Sequence, residues 1–347
     1  MIGFLPHRGG RVAYAVTGDG PPLLMEVGRA HDLEGFWRHP AYRQLVRRLA
    51  RRFTVVRWDR PGFGLSDRGT ADLSPAAELA LVERLVALTG AAEVAILAAG
   101  DAAPGMVRFA AGHPRVVSRL ALFGTAAEGR HLALSLPDAA LDALASARTP
   151  AIHRPVAAAA AGGSAPEVAS WLAAALEASA DAGAIAELIA RTRQIDVRAA
   201  ARRVQAPTLV LHREDDTVVE PRWGRALAAC IPGARFVPVP GGAHLLYAGD
   251  TGPVLEALLP FLVGAGEEEP VHERRPLSMR EREVAHMVTL GLTNAEIGRR
   301  LAIRRRTVDA HLEHIRAKLG VRSRSRIAVW AVHDSAIHSS APAVRPG

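Results

Sequence analysis

Three consecutive arginines, Arg304-Arg305-Arg306, head a stretch in which Val308, Leu312, Ile315 and Leu319 recur at helical spacing. At ~100° per residue the opposite face carries Arg306, Ala310, Glu313 and Ala317, flanked by Asp309 and His314. Guanidinium groups at the head of a helix can hold phosphate, and a polar face behind them can read base edges. The charge distribution agrees. Residues 277–330 contain twelve Arg or Lys and five Asp or Glu, a balance of +7 out of +8 for the whole chain. The remainder is close to neutral, so the excess points to a polyanion partner for this part alone.

Two shorter helices must position that face. Ser278-Met279-Arg280-Glu281 and Thr293-Asn294-Ala295-Glu296 are capping boxes, each opening a helix. Gly291 and Gly320 stand where the first and third helices should stop. Val284, Met287 and Val288 face the core from the first helix, and Ile297 and Leu301 from the second. A fourth helix is expected at 324–332. A short helix, a tight turn and a second helix with an exposed polar face describe a helix-turn-helix.

On these residues, and on Gly291-Leu292-Thr293-Asn294, Arg306-Thr307-Val308, His311 and Lys318-Leu319-Gly320-Val321, the module resembles the LuxR/NarL type. The resemblance implies double-stranded DNA as partner, a homodimer on paired half-sites and RNA polymerase as a further partner. It implies DNA contacts from Thr293, Asn294, Arg304, Arg305, Arg306, Thr307, Asp309, Ala310, Glu313, His314 and Lys318. Two positions depart from the pattern. Asp309 and Glu313 stand where relatives usually carry basic residues. Arg305 and Arg306 lie within reach of Asp309 along the helix, and an acid can accept from cytosine N4.

Before the module, strands and helices alternate. Strands are expected at 11–16, 23–27, 53–58, 94–97, 118–123, 207–212 and 235–239. Helices are expected at 42–50, 75–88, 103–111, 222–229 and 253–263. Such alternation argues for a parallel sheet covered on both faces. Residues 126–200, rich in Ala and Leu, interrupt it and read as a helical cap. Gly264-Ala265-Gly266-Glu267-Glu268-Glu269-Pro270 reads as the start of a linker. The expected layout is a domain at 1–263, a linker at 264–276, a helix-turn-helix domain at 277–336 and a flexible tail at 337–347.

The stretches PPLLMEVG and HPAYRQLVRRLARRFTVVRWDRPGFGLSD resemble the front half of α/β-hydrolases. In that fold the nucleophile sits at a tight strand-to-helix turn, usually G-x-S-x-G, followed along the chain by an acid and a histidine. Aligned on His113-Pro114 at the helix end, the turn here is Ala98-Ala99-Gly100-Asp101-Ala102. Its small flanking residues are kept and its serine hydroxyl is gone. Asp216 and His244 hold the acid and base positions. Asp101 is one residue late for a nucleophile, and its carboxylate suits the following helix N-terminus. Val27-Gly28-Arg29 replaces the usual oxyanion-side sequence, with Arg29 free to meet an anionic ligand, Asp32 or Glu34. The resemblance implies a ligand pocket lined by Arg29, Gly100, Asp101, Trp171, Asp216 and His244.

The fold expected is therefore an α/β-hydrolase-like domain, with a parallel sheet and helical cap, joined to a small all-α helix-turn-helix domain. The function expected is DNA-binding transcriptional regulation, with a degenerate hydrolase sensing an unknown small molecule. A working esterase with an accessory DNA-binding module is the alternative. A phosphorylation-driven receiver is excluded, because its site needs a lysine and the only lysine is Lys318. No cofactor or metal is expected. The single cysteine, Cys230, fits a reducing cytosol. The N-terminus carries no long apolar run and no stretch has the length of a membrane helix, so a cytoplasmic protein without membrane contact is expected.

Overall fold

The computed structural model describes residues 2–28, 32–68, 72–132, 153–162, 166–179, 182–264, 277–319, 327 and 331. The chain divides into two compact units, Met1–Ala265 and Gly266–Gly347.

The first unit is built on an eight-stranded sheet. Its strands are β1 (Ile2–His7), β2 (Gly10–Thr17), β3 (Pro22–Glu26), β4 (Thr54–Trp58), β5 (Val94–Ala99), β6 (Val117–Phe123), β7 (Thr208–Arg213) and β8 (Arg235–Val239), in the order β1-β2-β4-β3-β5-β6-β7-β8. The six strands from β4 to β8 pair in parallel. The expected all-parallel sheet is corrected at one edge, where β1 and β2 run antiparallel to their neighbours. The reason is local. Arg8 and Gly9 both take positive φ, 44° and 82°, as a two-residue hairpin turn requires. β1 went unread because its exposed outer positions blur the alternation.

β5 shows why the sheet is buried. All six of its residues are apolar and buried. Ala95, Leu97 and Ala99 join the core on one face, and Val94, Ile96 and Ala98 join the core on the other. This is the period-2 partition of a central strand. The first face is covered by α1 (Leu33–Arg38), α2 (Pro40–Leu49) and α10 (Gly252–Val263). α2 buries Tyr42, Leu45, Val46 and Leu49, the i, i+3, i+4, i+7 stripe of an amphipathic helix. The other face is covered by α3 (Pro75–Thr89), α4 (Ala103–Gly112), α8 (Arg198–Ala201) and α9 (Pro221–Cys230). α1 was not expected; Asp32 caps it by accepting from the Glu34 and Gly35 N–H groups.

Within the expected cap, α5 (His153–Ala161), α6 (Pro166–Ser179) and α7 (Ala182–Arg193) are helical. Residues 133–152 lie outside the described residues, as do Arg29 and most of the linker, the fourth helix and the tail.

In the second unit, α11 (Met279–Thr289), α12 (Asn294–Arg300) and α13 (Arg305–Leu319) enclose Val284, Ala285, Val288, Ile297, Val308, Leu312 and Ile315. Both capping boxes form, with Ser278 and Thr293 each accepting from the N–H of the glutamate three residues on. The turn between α12 and α13 folds back so closely that a Cβ on Gly298 would stand 2.8 Å from the Ile303 carbonyl oxygen. Ala302 in that turn takes φ +52°, a left-handed conformation in a residue with a side chain.

Candidate functional site

In the first unit, Asp216 and His244 meet. Both lie in loops that follow parallel strands, Asp216 after β7 and His244 after β8. His244 Nδ1 is 2.8 Å from Asp216 Oδ2. The other oxygen, Oδ1, accepts from the Val218 and Val219 N–H groups at 2.9 and 3.1 Å. Burial pushes the Asp216 carboxyl up, but His244, His212 and the Val219 N–H together hold it well below the usual range. Asp216 is therefore an anion, and the ring proton of His244 belongs on Nδ1.

The other ring nitrogen, Nε2, stands above the turn that leaves β5. Gly100 occupies that turn with φ +57°. A Cβ built there would lie 3.5 Å from Nε2, with no other neighbour within 4 Å. The Gly100 carbonyl is pinned by the Thr125 hydroxyl at 2.7 Å. A serine at this place would present its hydroxyl within hydrogen-bonding reach of the imidazole. Glycine places no side chain beneath the imidazole and leaves the space there open.

Residues 28–257 match the alpha/beta hydrolase family. The chain belongs to that family. Residues 275–331 match the luxR family of bacterial regulatory proteins. A solved hydrolase from Pseudomonas aeruginosa PA01 is 25% identical, with a TM-score of 0.59, over 70% of this chain and 91% of its own. The nitrate/nitrite response regulator protein NarL of Escherichia coli K12 is 36% identical over 85 residues, 24% of this chain and 39% of NarL. A putative HTH-type transcriptional regulator, Mb0914c of Mycobacterium bovis, is 42% identical over 65 residues, 18% of this chain and 7% of its own. The chain thus spans well under two thirds of these regulators.

A cavity of about 110 Å³ lies over Gly100 in the hydrolase unit. Gly100, Asp101 and His244 border it. Asp216 stands behind His244 rather than in the wall. Trp171 is corrected: it is not in the wall either. It packs against Phe36 and His39, with ring centroids 5.1 and 4.2 Å away, in an aromatic cluster with Tyr42 and Tyr247. Arg29 lies outside the described residues.

Asp101 has a partner that sequence reasoning missed. Its Oδ2 is 3.2 Å from Arg60 Nη1, and Arg60 Nε donates to Glu26 Oε1 at 2.6 Å. Burial pulls the Arg60 guanidinium down, but the charges of Glu26, Asp101 and Glu78 outweigh it, so Arg60 stays a cation. A carboxylate held by an arginine is a poor nucleophile. Glu78 completes the group. Its side chain lies where a Cβ on Gly105 would be. Burial first, then repulsion by Glu26, raises its carboxyl to about 7. Arg60 stands in the run RWDRPGFGLSD, and nothing in the sequence links it to Glu26 at the end of an apolar strand.

The cap reaches the histidine loop directly. The His244 N–H donates to the Ala160 carbonyl at 3.0 Å. Gly162, at φ +58°, lies so close to the Gly242 and Ala243 backbone that no Cβ would fit.

In the second unit, Arg304, Arg305, Arg306, Thr307, Asp309, Ala310, Glu313 and His314 are all exposed at the head and outer face of α13. Three expected contacts have internal work. Thr293 donates its hydroxyl to Glu296 at 2.7 Å within the capping box. Asn294 Nδ2 donates to Asp309 Oδ1 at 2.6 Å, joining α12 to α13. Asn294, which the sequence did not suggest, is thus a partner for Asp309. Lys318 Nζ is 2.6 Å from Glu281 Oε2, the carboxylate that also caps α11. Its ammonium fastens α13 to α11 rather than standing free on the surface.

Proposed function

We propose that this chain is a DNA-binding transcriptional regulator whose hydrolase unit is catalytically silent and senses a small molecule. The observation that carries the reading is Gly100 beneath His244. The acid, the base and a cavity remain, while the group that would attack a carbonyl is missing. The luxR module, with its charge surplus and the exposed arginines heading α13, supports double-stranded DNA as its target, bound as a homodimer with RNA polymerase nearby, in the cytoplasm.

Phosphate is the task we assign to Arg304, Arg305 and Arg306, and base reading to the face of Asp309, Ala310, Glu313 and His314. The test is binding-site selection with the full-length chain, alongside an ester-turnover assay on the same preparation. Sequence-selective binding without turnover supports the reading. Turnover of an aryl ester that disappears in His244→Ala would replace it with a working hydrolase that carries a DNA-binding module.

A further inference from the structure

The cavity over Gly100 has a mostly apolar wall, including Phe36, Leu132, Leu172, Val218 and Leu246. Tyr247 contributes its ring, since its hydroxyl is sealed from any surface. Among the described residues of the wall two polar side chains remain, His244 and Asp101, and both offer acceptor atoms. With the neutral ring donating its Nδ1–H to Asp216 Oδ2, Nε2 offers a lone pair. Asp101 is a carboxylate tied through Oδ2 to Arg60, with Oδ1 beside Gly28. A ligand meeting this floor has to donate. An anionic ligand would face Asp101, and among the described residues the wall offers it no cation.

We propose that the cavity binds a small apolar alcohol whose hydroxyl takes the place of the missing serine hydroxyl and donates to His244 Nε2. This rests on the reading of the unit as a sensor. The space is there: a Cβ on Gly100 meets only Nε2, at 3.5 Å. The ligand completes the hydrogen-bond chain that runs through His244 to Asp216. A donor that meets Nε2 gains a hydrogen bond that a group able only to accept cannot make, so the hydroxyl is selected.

The test uses the full-length protein and four probes on one skeleton: 2-phenylethanol, its methyl ether, phenylacetate and 2-phenylethylamine. Binding is followed by calorimetric titration and by the ¹⁵N shift of His244 Nε2. The alcohol should bind and move the Nε2 resonance, and the ether should bind about tenfold more weakly. Gly100→Ser should weaken the alcohol by a similar factor, because the serine hydroxyl fills its place. If that variant does not fold, His244→Ala should abolish the preference for alcohol over ether. Equal binding of alcohol and ether, or tighter binding of the acid or the amine, overturns the hydroxyl assignment and leaves the sensor reading standing. Binding of none of the four at millimolar concentration overturns both.

Discussion

A Cβ on Gly100 would stand 3.5 Å from Nε2 of His244, with clear space around it. Gly100→Ser should therefore raise esterase activity above that of the native chain. The turn already holds φ +57°, a strain that serine must bear at about 1–2 kcal/mol. We expect p-nitrophenyl acetate turnover on the order of 10²–10⁴ above the native protein. The double variant Gly100→Ser/His244→Ala should lose it. Activity that survives loss of the histidine would mean that the new hydroxyl is not addressed by the imidazole.

The half-buried Glu78 should make stability fall with rising pH. Its carboxyl is raised to about 7 in the folded chain, first by burial and then by Glu26. An acid whose folded value is raised favours folding below the unfolded value, roughly 4.3, and loses that contribution as pH climbs through the folded value. Native protein and Glu78→Gln should differ little near pH 4.5. By pH 8 the glutamine variant should be ahead by roughly 2–3 kcal/mol. Urea midpoints for both proteins across that range measure the gap, and a gap that stays constant with pH would show that Glu78 titrates normally.

Lys318 and Arg305 should part company in salt titrations. Lys318 closes on Glu281, which is 5% exposed. Lys318→Met should speed amide exchange in α11 and α13, a loss of about 1 kcal/mol after allowance for the partly exposed ammonium. It should leave the salt dependence of DNA binding unchanged. Arg305→Ala should reduce that slope by roughly one and weaken all sequences alike. A reduced slope for the Lys318 variant would restore it to the phosphate contacts.

Asp309 and Glu313 sit on the exposed face of α13. Replacing either with Lys should raise non-specific affinity and alter the selected bases by roughly 1–3 kcal/mol per position that is read. Asp309→Lys also breaks the bond from Asn294, so it should loosen α12 against α13 while Glu313→Lys does not. Site selection at one fixed salt, with melting curves, separates the two. An unchanged preferred site in both variants would turn this face away from the groove.

Ala302→Gly should stabilise the luxR module. Alanine at φ +52° carries a left-handed cost that glycine escapes, so a gain of up to about 1 kcal/mol is expected. A lower melting temperature for the glycine variant would show that the turn is held by the alanine methyl.

Much of this was legible in the sequence because it is written locally. A capping box is complete within four residues, and both formed. β5 declares a central strand through six consecutive apolar residues. The register of Asp216 and His244 followed from resemblance, and their contact spans 28 positions. The unread features have no local mark. Arg60 lies 41 residues from Asp101 and 34 from Glu26, so neither spacing nor periodicity could pair them. β1 was hidden because its pattern is that of an exposed edge. Trp171 could have faced the cavity or the core, and only the aromatic rings around it decide.

The bond from the His244 N–H to Ala160 and the fit of Gly162 against Gly242 make the end of α5 and the histidine loop one mechanical part. A cap helix that moved would drag the imidazole along with it. In a hydrolase such a linkage tunes turnover. In the sensor proposed above it would be a lever, and the quantity passed along it displacement.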